Sequence, residues 1–455
     1  MRNCPQCMKP KTASLTRRSF LKSSLGVAAL VVLPGKVPRL RGAPSPNNKL
    51  NLAAIGVGGQ GAADLENLAG ENIVALCDVD SQRAAGTFKK FPNAKQFQDF
   101  RRMFDAMEKE IDAVLVATPD HMHSVAAMHA IKRGKHVYCE KPLAHSIYEV
   151  RELVRAAREH KVITQLGNQG HAFDSMRVFR EWVEDGAIGQ VREVHAMCNS
   201  NYSHVDLLEA VKTGEPVPKT LNWDLWLGPA KTRPYHSAYV PGKWRGWSAF
   251  GTGVIGDWTC HLVDPAFWTL DLGAPATIEA ETGDYDPIKQ GETFPAASTV
   301  RYEFPARGQR PAVKLVWHDG SSQPPRPEEF GYGEKLPEIG GLVIGEKAKI
   351  VYGSHGAGYP RILTKSIMEQ VSKQSRRLPK SIGHHKEWAE SCKTGKPAGS
   401  NFEYGGPLTE IALLGVIAIR CKGEKLQWDA TAMKFKNSDR ANTFLKPTFR
   451  EGWTL

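Results

Sequence analysis

The sequence predicts an α/β chain in two parts. The first is a doubly wound parallel sheet, and the second is an α/β domain on an open, mostly antiparallel sheet. Three observations predict it. An apolar run opens onto three closely spaced glycines; strand and helix patterns then alternate as far as VITQLGNQ; and from about Gly189 that alternation stops.

The first strand is LNLAAIGV, an apolar run suited to a buried parallel strand. Gly56, Gly58 and Gly61 follow at GxGxxG spacing, with Gly59 and Gln60 between them, and ADLENLAG continues as a helix. The first glycine permits a tight turn, the second lets a pyrophosphate approach the backbone, and the third lets helix and strand pack closely. The helix N-terminus then faces the phosphates. Taken alone, the motif is equally a simple tight turn. IVALCDVD, the second strand, ends in Asp78, where an acid accepts hydrogen bonds from an adenosine ribose and repels a 2′-phosphate. NAD is therefore favoured over NADP. IDAVLVATP, the helix HSVAAMHAIKRGK, HVYCEKP, the amphipathic SIYEVRELVRAAREHK and VITQLGNQ complete a Rossmann-type region over 49–170. Ligands bind beyond the carboxyl ends of such strands, where ATPDHMH, CEKP and GNQGH lie.

In 171–455, GQVREVHAMCN, ATIEAETGDY, STVRYEFPA, AVKLVWHDG and KAKIVYG read as strands of an open sheet with one covered face, and SSQPPRPEEFGYGEKLPEIGG as a Pro/Gly-rich loop. Six of eleven tryptophans fall between Trp223 and Trp268. Most suit core packing. Trp244 and Trp247, in GKWRGW, are expected at a pocket where aromatic faces stack on sugar rings, with Tyr202 beside them.

IGVGGQG, CDVD, VATPDHMHS, GKHVYCEKPLA and GDWTCHLVD resemble the glucose–fructose oxidoreductase/inositol dehydrogenase/MocA family from Leu50 to the C-terminus. The ending HHKEW, SNFEYGGPLTEIALLG and FREGW is similar to an exported branch of it. The resemblance implies a substrate-binding second domain that often forms a subunit interface, hence a homo-oligomer. It also implies that Thr118, Pro119, His123 and Glu140 lie along the nicotinamide half of the cofactor. His123 also reads as a packed histidine at a helix start, and His171 as either facing substrate or capping a turn.

Two constellations carry the expected chemistry. Pro142 holds the preceding residue extended, which aims Lys141 into the cleft; an ammonium there stabilises a developing alkoxide. Asp257 and His261 share one helix face at i, i+4, so the imidazole accepts the hydroxyl proton while the carboxylate fixes its tautomer. The resemblance implies that Lys141, Asp257 and His261 form the catalytic set. The Asp257–His261 spacing also fits half a metal site, but no further ligand pattern supports one, and no metal is expected.

The formal charge of +12 sits almost wholly in a leader: residues 1–49 hold ten Lys or Arg and no acid. Nucleic acid is thereby set aside as a partner. LTRRSFLK before SSLGVAALVVLPG, within 1–48, resembles a twin-arginine signal, with Met8 as an alternative start to Met1. A basic tail is the other reading, and the CPQC pair lacks a second half for a zinc site. The twin-arginine reading predicts a folded protein delivered by that translocation machinery to the periplasm, or tethered to the inner membrane's outer face. The six later cysteines, widely spaced in apolar runs, suit buried thiols formed in a reducing compartment.

An exported nicotinamide enzyme has no free cofactor pool, so its cofactor is loaded before export and regenerated in place. The expected activity is NAD(P)-dependent dehydrogenation of a sugar, cyclitol or sugar derivative. The alternatives are glycoside cleavage through transient ring oxidation and, lastly, non-catalytic sugar binding.

Overall fold

The computed structural model describes residues 48–455. The leader, the CPQC pair and the two start positions lie outside the described residues. The first sheet comprises β1 (Asn51–Ile55), β2 (Asn72–Cys77), β3 (Lys95–Phe97), β4 (Ala113–Val116), β5 (His136–Glu140) and β6 (Thr164–Gly167). Its order is β3-β2-β1-β4-β5-β6, and all neighbours are parallel. Ile55 pairs with Cys77 on one side and Val116 on the other, so the three strands end level. That register brings the glycine turn, Asp78 and Thr118 to one crevice, where the strand order reverses. The sequence reading lacks β3, whose three residues are largely exposed and too few to show a period.

The second sheet comprises β7 (Val191–Cys198), β8 (Thr277–Glu281), β9 (Ser298–Phe304), β10 (Val313–Asp319), β11 (Ile339–Gly345), β12 (Lys349–Gly353), β13 (Gly358–Ile362), β14 (Leu426–Asp429) and β15 (Lys434–Phe435). Its order is β13-β12-β11-β7-β10-β9-β8-β14-β15; only β7 and β10 run parallel. One face buries Val194, Val300, Tyr302 and Trp317 in a core shared with the helices Gly253–Leu262 and Phe402–Arg420. The other carries Glu193, Arg301, Glu303 and Lys314, partly or fully exposed. The sequence reading ends the Pro/Gly-rich loop at Gly341, but β11 already begins at Ile339. Gly341 looks like a breaker and is a packing device: a Cβ there would lie 2.2 Å from the Tyr352 hydroxyl.

Phe402–Arg420 is long and apolar enough to cross a membrane, yet 78% of its apolar window is buried inside the protein. The helix His384–Thr394 returns to the first sheet, burying Trp388, Ala389 and Cys392 beside Leu52, Leu65 and Tyr138. All six cysteines of the described residues are buried, and Cys77, Cys139, Cys198, Cys260 and Cys421 are free.

Candidate active site

A cavity of about 610 Å³ opens beyond the carboxyl ends of β1, β2, β4 and β5. Gly56, Gly58, Gly59 and Gln60 line it, with Asp78, Thr118, Pro119, Glu140, Lys141 and Trp244. Gly56 has φ 81°, where a side chain is strained, and a Cβ on Gly61 would lie 1.9 Å from the Gly56 carbonyl oxygen. The helix Gln60–Asn67 therefore starts hard against the turn. Asp78 Oδ2 accepts from the amides of Val57 (2.9 Å) and Gly58 (3.2 Å). Burial pushes its pKa up despite those bonds. The Thr118 hydroxyl is buried without a partner among the described residues. Glu140, which ends β5, accepts from Gln169 Nε2 at 2.6 Å; burial, then the neighbouring Asp64, raises its pKa well above the usual carboxylate range. His123 is buried away from the cavity lining, its ring nitrogens 2.7 Å from the carbonyl oxygens of Pro142 and Thr118. It ties together the two loops that carry Lys141 and Thr118.

Lys141 sits directly after β5, before a cis peptide to Pro142. Its Nζ donates to Asp257 Oδ1 at 2.6 Å and to the Asp257 carbonyl at 3.0 Å. Arg245 Nε donates to the same carboxylate oxygen at 3.2 Å, and the Tyr202 hydroxyl to Oδ2 at 2.8 Å. Burial opposes both charges of the central pair. Lys141 first and Arg245 second nevertheless hold Asp257 well below the usual carboxylate range. In turn, Asp257 and then Glu140 outweigh burial and raise Lys141. Lys141 is thus a cation at neutral pH, an electrostatic group rather than a base.

One detail of the expected site is corrected here. Asp257 and His261 lie one turn apart in Gly253–Leu262, yet the carboxylate does not set the imidazole's tautomer. Its oxygens are taken by Lys141, Arg245 and Tyr202, while His261 Nδ1 is buried without a hydrogen-bond partner among the described residues. Shared helix face fixed the spacing, but three converging donors decide where the carboxylate turns. Burial, then the positive charge of Lys141, pushes His261 well below the ordinary imidazole value, so it is neutral at neutral pH.

Two expected substrate contacts lie elsewhere. Trp247 is fully buried, donates from Nε1 to the Ala238 carbonyl at 2.9 Å and packs edge-on against Tyr239. No face is left for a sugar. His171 is also buried, with Nδ1 3.1 Å from Asp264 Oδ2 and its ring 4.8 Å from Tyr404. It braces GNQGH against the helix Asp264–Leu270 rather than facing the cavity.

Three residues in the site escaped the sequence reading. Arg245 lies 4.3 Å over the Trp244 ring and reaches Asp257; it stands between the two tryptophans that drew attention. Asp120 accepts from the Thr252 hydroxyl at 2.7 Å, and burial raises its pKa to about 7. His355, in the turn between β12 and β13 at φ 53°, brings its ring 4.3 Å from that of His261.

The description of an oxidoreductase family with an NAD-binding Rossmann fold matches residues 50–168, and its C-terminal alpha/beta domain matches residues 176–294. Among curated proteins, a 2,7-anhydro-N-acetylneuraminate hydratase of Mediterraneibacter gnavus is 36% identical over 20% of this chain and 24% of its own. A 1,5-anhydro-D-fructose reductase of Ensifer adhaerens is 26% identical over 51% of this chain and 59% of its own. The chain therefore spans less than two thirds of the curated relatives it matches. An inositol dehydrogenase homologue of Azotobacter vinelandii, solved with NADH and myo-inositol, superposes with a TM-score of 0.55 at 15% identity, covering 84% of this chain and 98% of that one. That likeness speaks to the fold alone. With both halves of the family description matched in order, and both sheets in place, the chain belongs to the Gfo/Idh/MocA oxidoreductase family.

Proposed function

We propose that this protein is an NAD-dependent oxidoreductase acting on a ring or chain hydroxyl of a sugar, cyclitol or sugar derivative. The observation that carries the reading is an anchored ammonium in the lining of the dinucleotide crevice, with a neutral imidazole buried behind it within reach of its charge. Lys141 is held on Asp257 at 2.6 Å, and His261 is uncharged and partly unpartnered. The crevice fits NAD: the glycine turn leaves no room for side chains, Asp78 stands at the end of β2, and Thr118 offers an unpaired hydroxyl.

When bound, NAD supplies the hydride acceptor. Lys141 steadies the substrate oxygen as negative charge builds on it. His261 takes the hydroxyl proton at a ring nitrogen, so the C–O single bond becomes a carbonyl as the carbon loses hydride. Asp257 positions Lys141, and Trp244 offers an aromatic wall for a sugar ring.

The test starts with protein purified without added cofactor. Its reduced-nicotinamide absorbance is recorded while candidate sugars, cyclitols and aryl glycosides are supplied. Net growth or bleaching of the band supports the oxidoreductase. Release of aglycone with no net change supports a second reading, cleavage through transient oxidation, which the hydratase relative favours because its named reaction is not a net oxidation. Absence of bound nucleotide and of any response leaves only a sugar binder. Gly61→Ala is expected to weaken NAD binding at least tenfold, because the new Cβ meets backbone at 1.9 Å and the helix must retreat from the turn. Calorimetric titration of NAD into the folded variant measures it; unchanged affinity would remove the turn from the cofactor site.

Export by the twin-arginine route to the periplasm and a homo-oligomeric state belong to the same proposal. Six buried thiols, five of them free, support folding in a reducing compartment, and the exposed part of the second sheet's outer face, bearing Arg301 and Lys314, supports a subunit contact.

A further inference from the structure

Behind the active site lies a second cavity, of about 440 Å³. Consecutive residues at the start of one helix separate the two: Asp120 and Met122 line the first, His121 the second. Arg420, the last residue of Phe402–Arg420, lies in its wall with Lys231, Arg233 and Lys446. Val416 and Phe444 supply apolar surface beside them.

The charges do not balance. The Arg420 guanidinium makes no ion pair with a carboxylate among the described residues; it lies 5.0 Å over the Phe444 ring, with the neutral side chains of Tyr285 and Cys421 as further electrostatic neighbours. Burial lowers its pKa, as expected of a cation partly withdrawn from water without a carboxylate partner. Lys231 and Lys446 make no ion pair among the described residues, and Lys446 Nζ stands 4.4 Å over the Tyr148 ring. Arg233 has one carboxylate, an exposed Glu292 at 3.3 Å, and lies over the Phe250 and Tyr239 rings at 5.2 and 5.7 Å. The one acid in the lining, Glu149, is committed elsewhere: its two oxygens accept from the Ser124 and Ser146 hydroxyls at 2.6 and 2.7 Å. His145 faces the Gly251 carbonyl at 3.1 Å, and burial takes its pKa down to about 4, leaving it neutral.

We propose that this cavity binds a small organic anion, separately from the Lys141 site. A carboxylate or phosphate group meets the planar fork of Arg420, Lys231 and Lys446 close the rim, and the body of the ligand packs on Val416 and Phe444. Position and chemistry agree. A guanidinium in a walled space, short of one anion, is matched by a ligand that brings both the charge and an apolar part.

The experiment titrates the full chain with inorganic phosphate and, separately, with citrate, against chloride at matched ionic strength. Calorimetry and thermal unfolding give the readout. Saturable binding of at least one probe is expected, with a rise in midpoint of a few degrees near saturation; whichever probe binds tighter names the head group. Arg420→Gln is expected to weaken it about tenfold or more. Should that variant not fold, the exposed pair Lys231→Gln/Lys446→Gln decides, with weakening of about threefold or more expected. Equal affinity in wild type and in the folded variants places the anion elsewhere and overturns the proposal, as does a response no greater than that to chloride.

Discussion

Lys141→Ala is expected to lower turnover by about three orders of magnitude while NAD remains bound. Removing one preorganised donor from a developing oxyanion typically costs 10²–10³ in rate, and here the same group also fixes where the substrate oxygen sits. The variant does not leave Asp257 stranded, because Arg245 at 3.2 Å and Tyr202 at 2.8 Å still satisfy its oxygens. The fold therefore survives, and the loss is read in kcat, not in soluble yield. Lys141→Arg is the sharper control. It keeps the charge, but a planar fork replaces a compact ammonium that reaches both the carboxylate and the backbone carbonyl of Asp257. Low turnover in the arginine variant too means that position matters as much as charge. Steady-state rates beside a measurement of bound nucleotide check both. Full activity in the alanine variant removes Lys141 from the chemistry.

What was legible in the sequence was what is local. The glycine turn, the four main apolar strands around it and the strand-end lysine each lie within about ten consecutive residues, so spacing and pattern alone reveal them. Asp257 and His261 were legible for the same reason, being one helical turn apart. Their partners were not. Tyr202 and Arg245 reach Asp257 from segments 55 and 12 residues away, and nothing in either stretch records that convergence. GKWRGW shows the difficulty at single-residue scale: Trp244 lines the cavity, Trp247 fills the core, and the arginine between them turns to Asp257. His355 was invisible because its neighbourhood reads as a glycine-rich turn, SHGAG; only the sheet's fold-back places that turn beside His261.

Asp257→Asn is the substitution with the largest expected cost in stability, about 3 kcal/mol or more near neutral pH. Two cations, Lys141 and Arg245, are held together by one buried carboxylate, and breaking a buried pair from one side typically costs 3–5 kcal/mol. The neutral amide leaves them facing each other. Adding Lys141→Met removes one of the stranded charges, so the double variant is expected to be no less stable than Asp257→Asn alone. A double-mutant cycle then gives a coupling of at least about 1 kcal/mol. The pH dependence has a definite sign. The folded-state pKa of Asp257 is depressed, chiefly by Lys141 and then Arg245 against the opposing effect of burial. Its contribution is therefore complete above the unfolded-state value of about 3.9 and is lost as pH falls through the folded value. The gap between wild type and Asp257→Asn should accordingly be widest near neutrality and narrow as the solution is acidified below about pH 4. Denaturant titrations of the wild type and the three variants across that range measure it. Additive costs and a pH-independent gap mean that the carboxylate does not hold the lysine, and the ammonium would then need another anchor to stay at the mouth of the crevice.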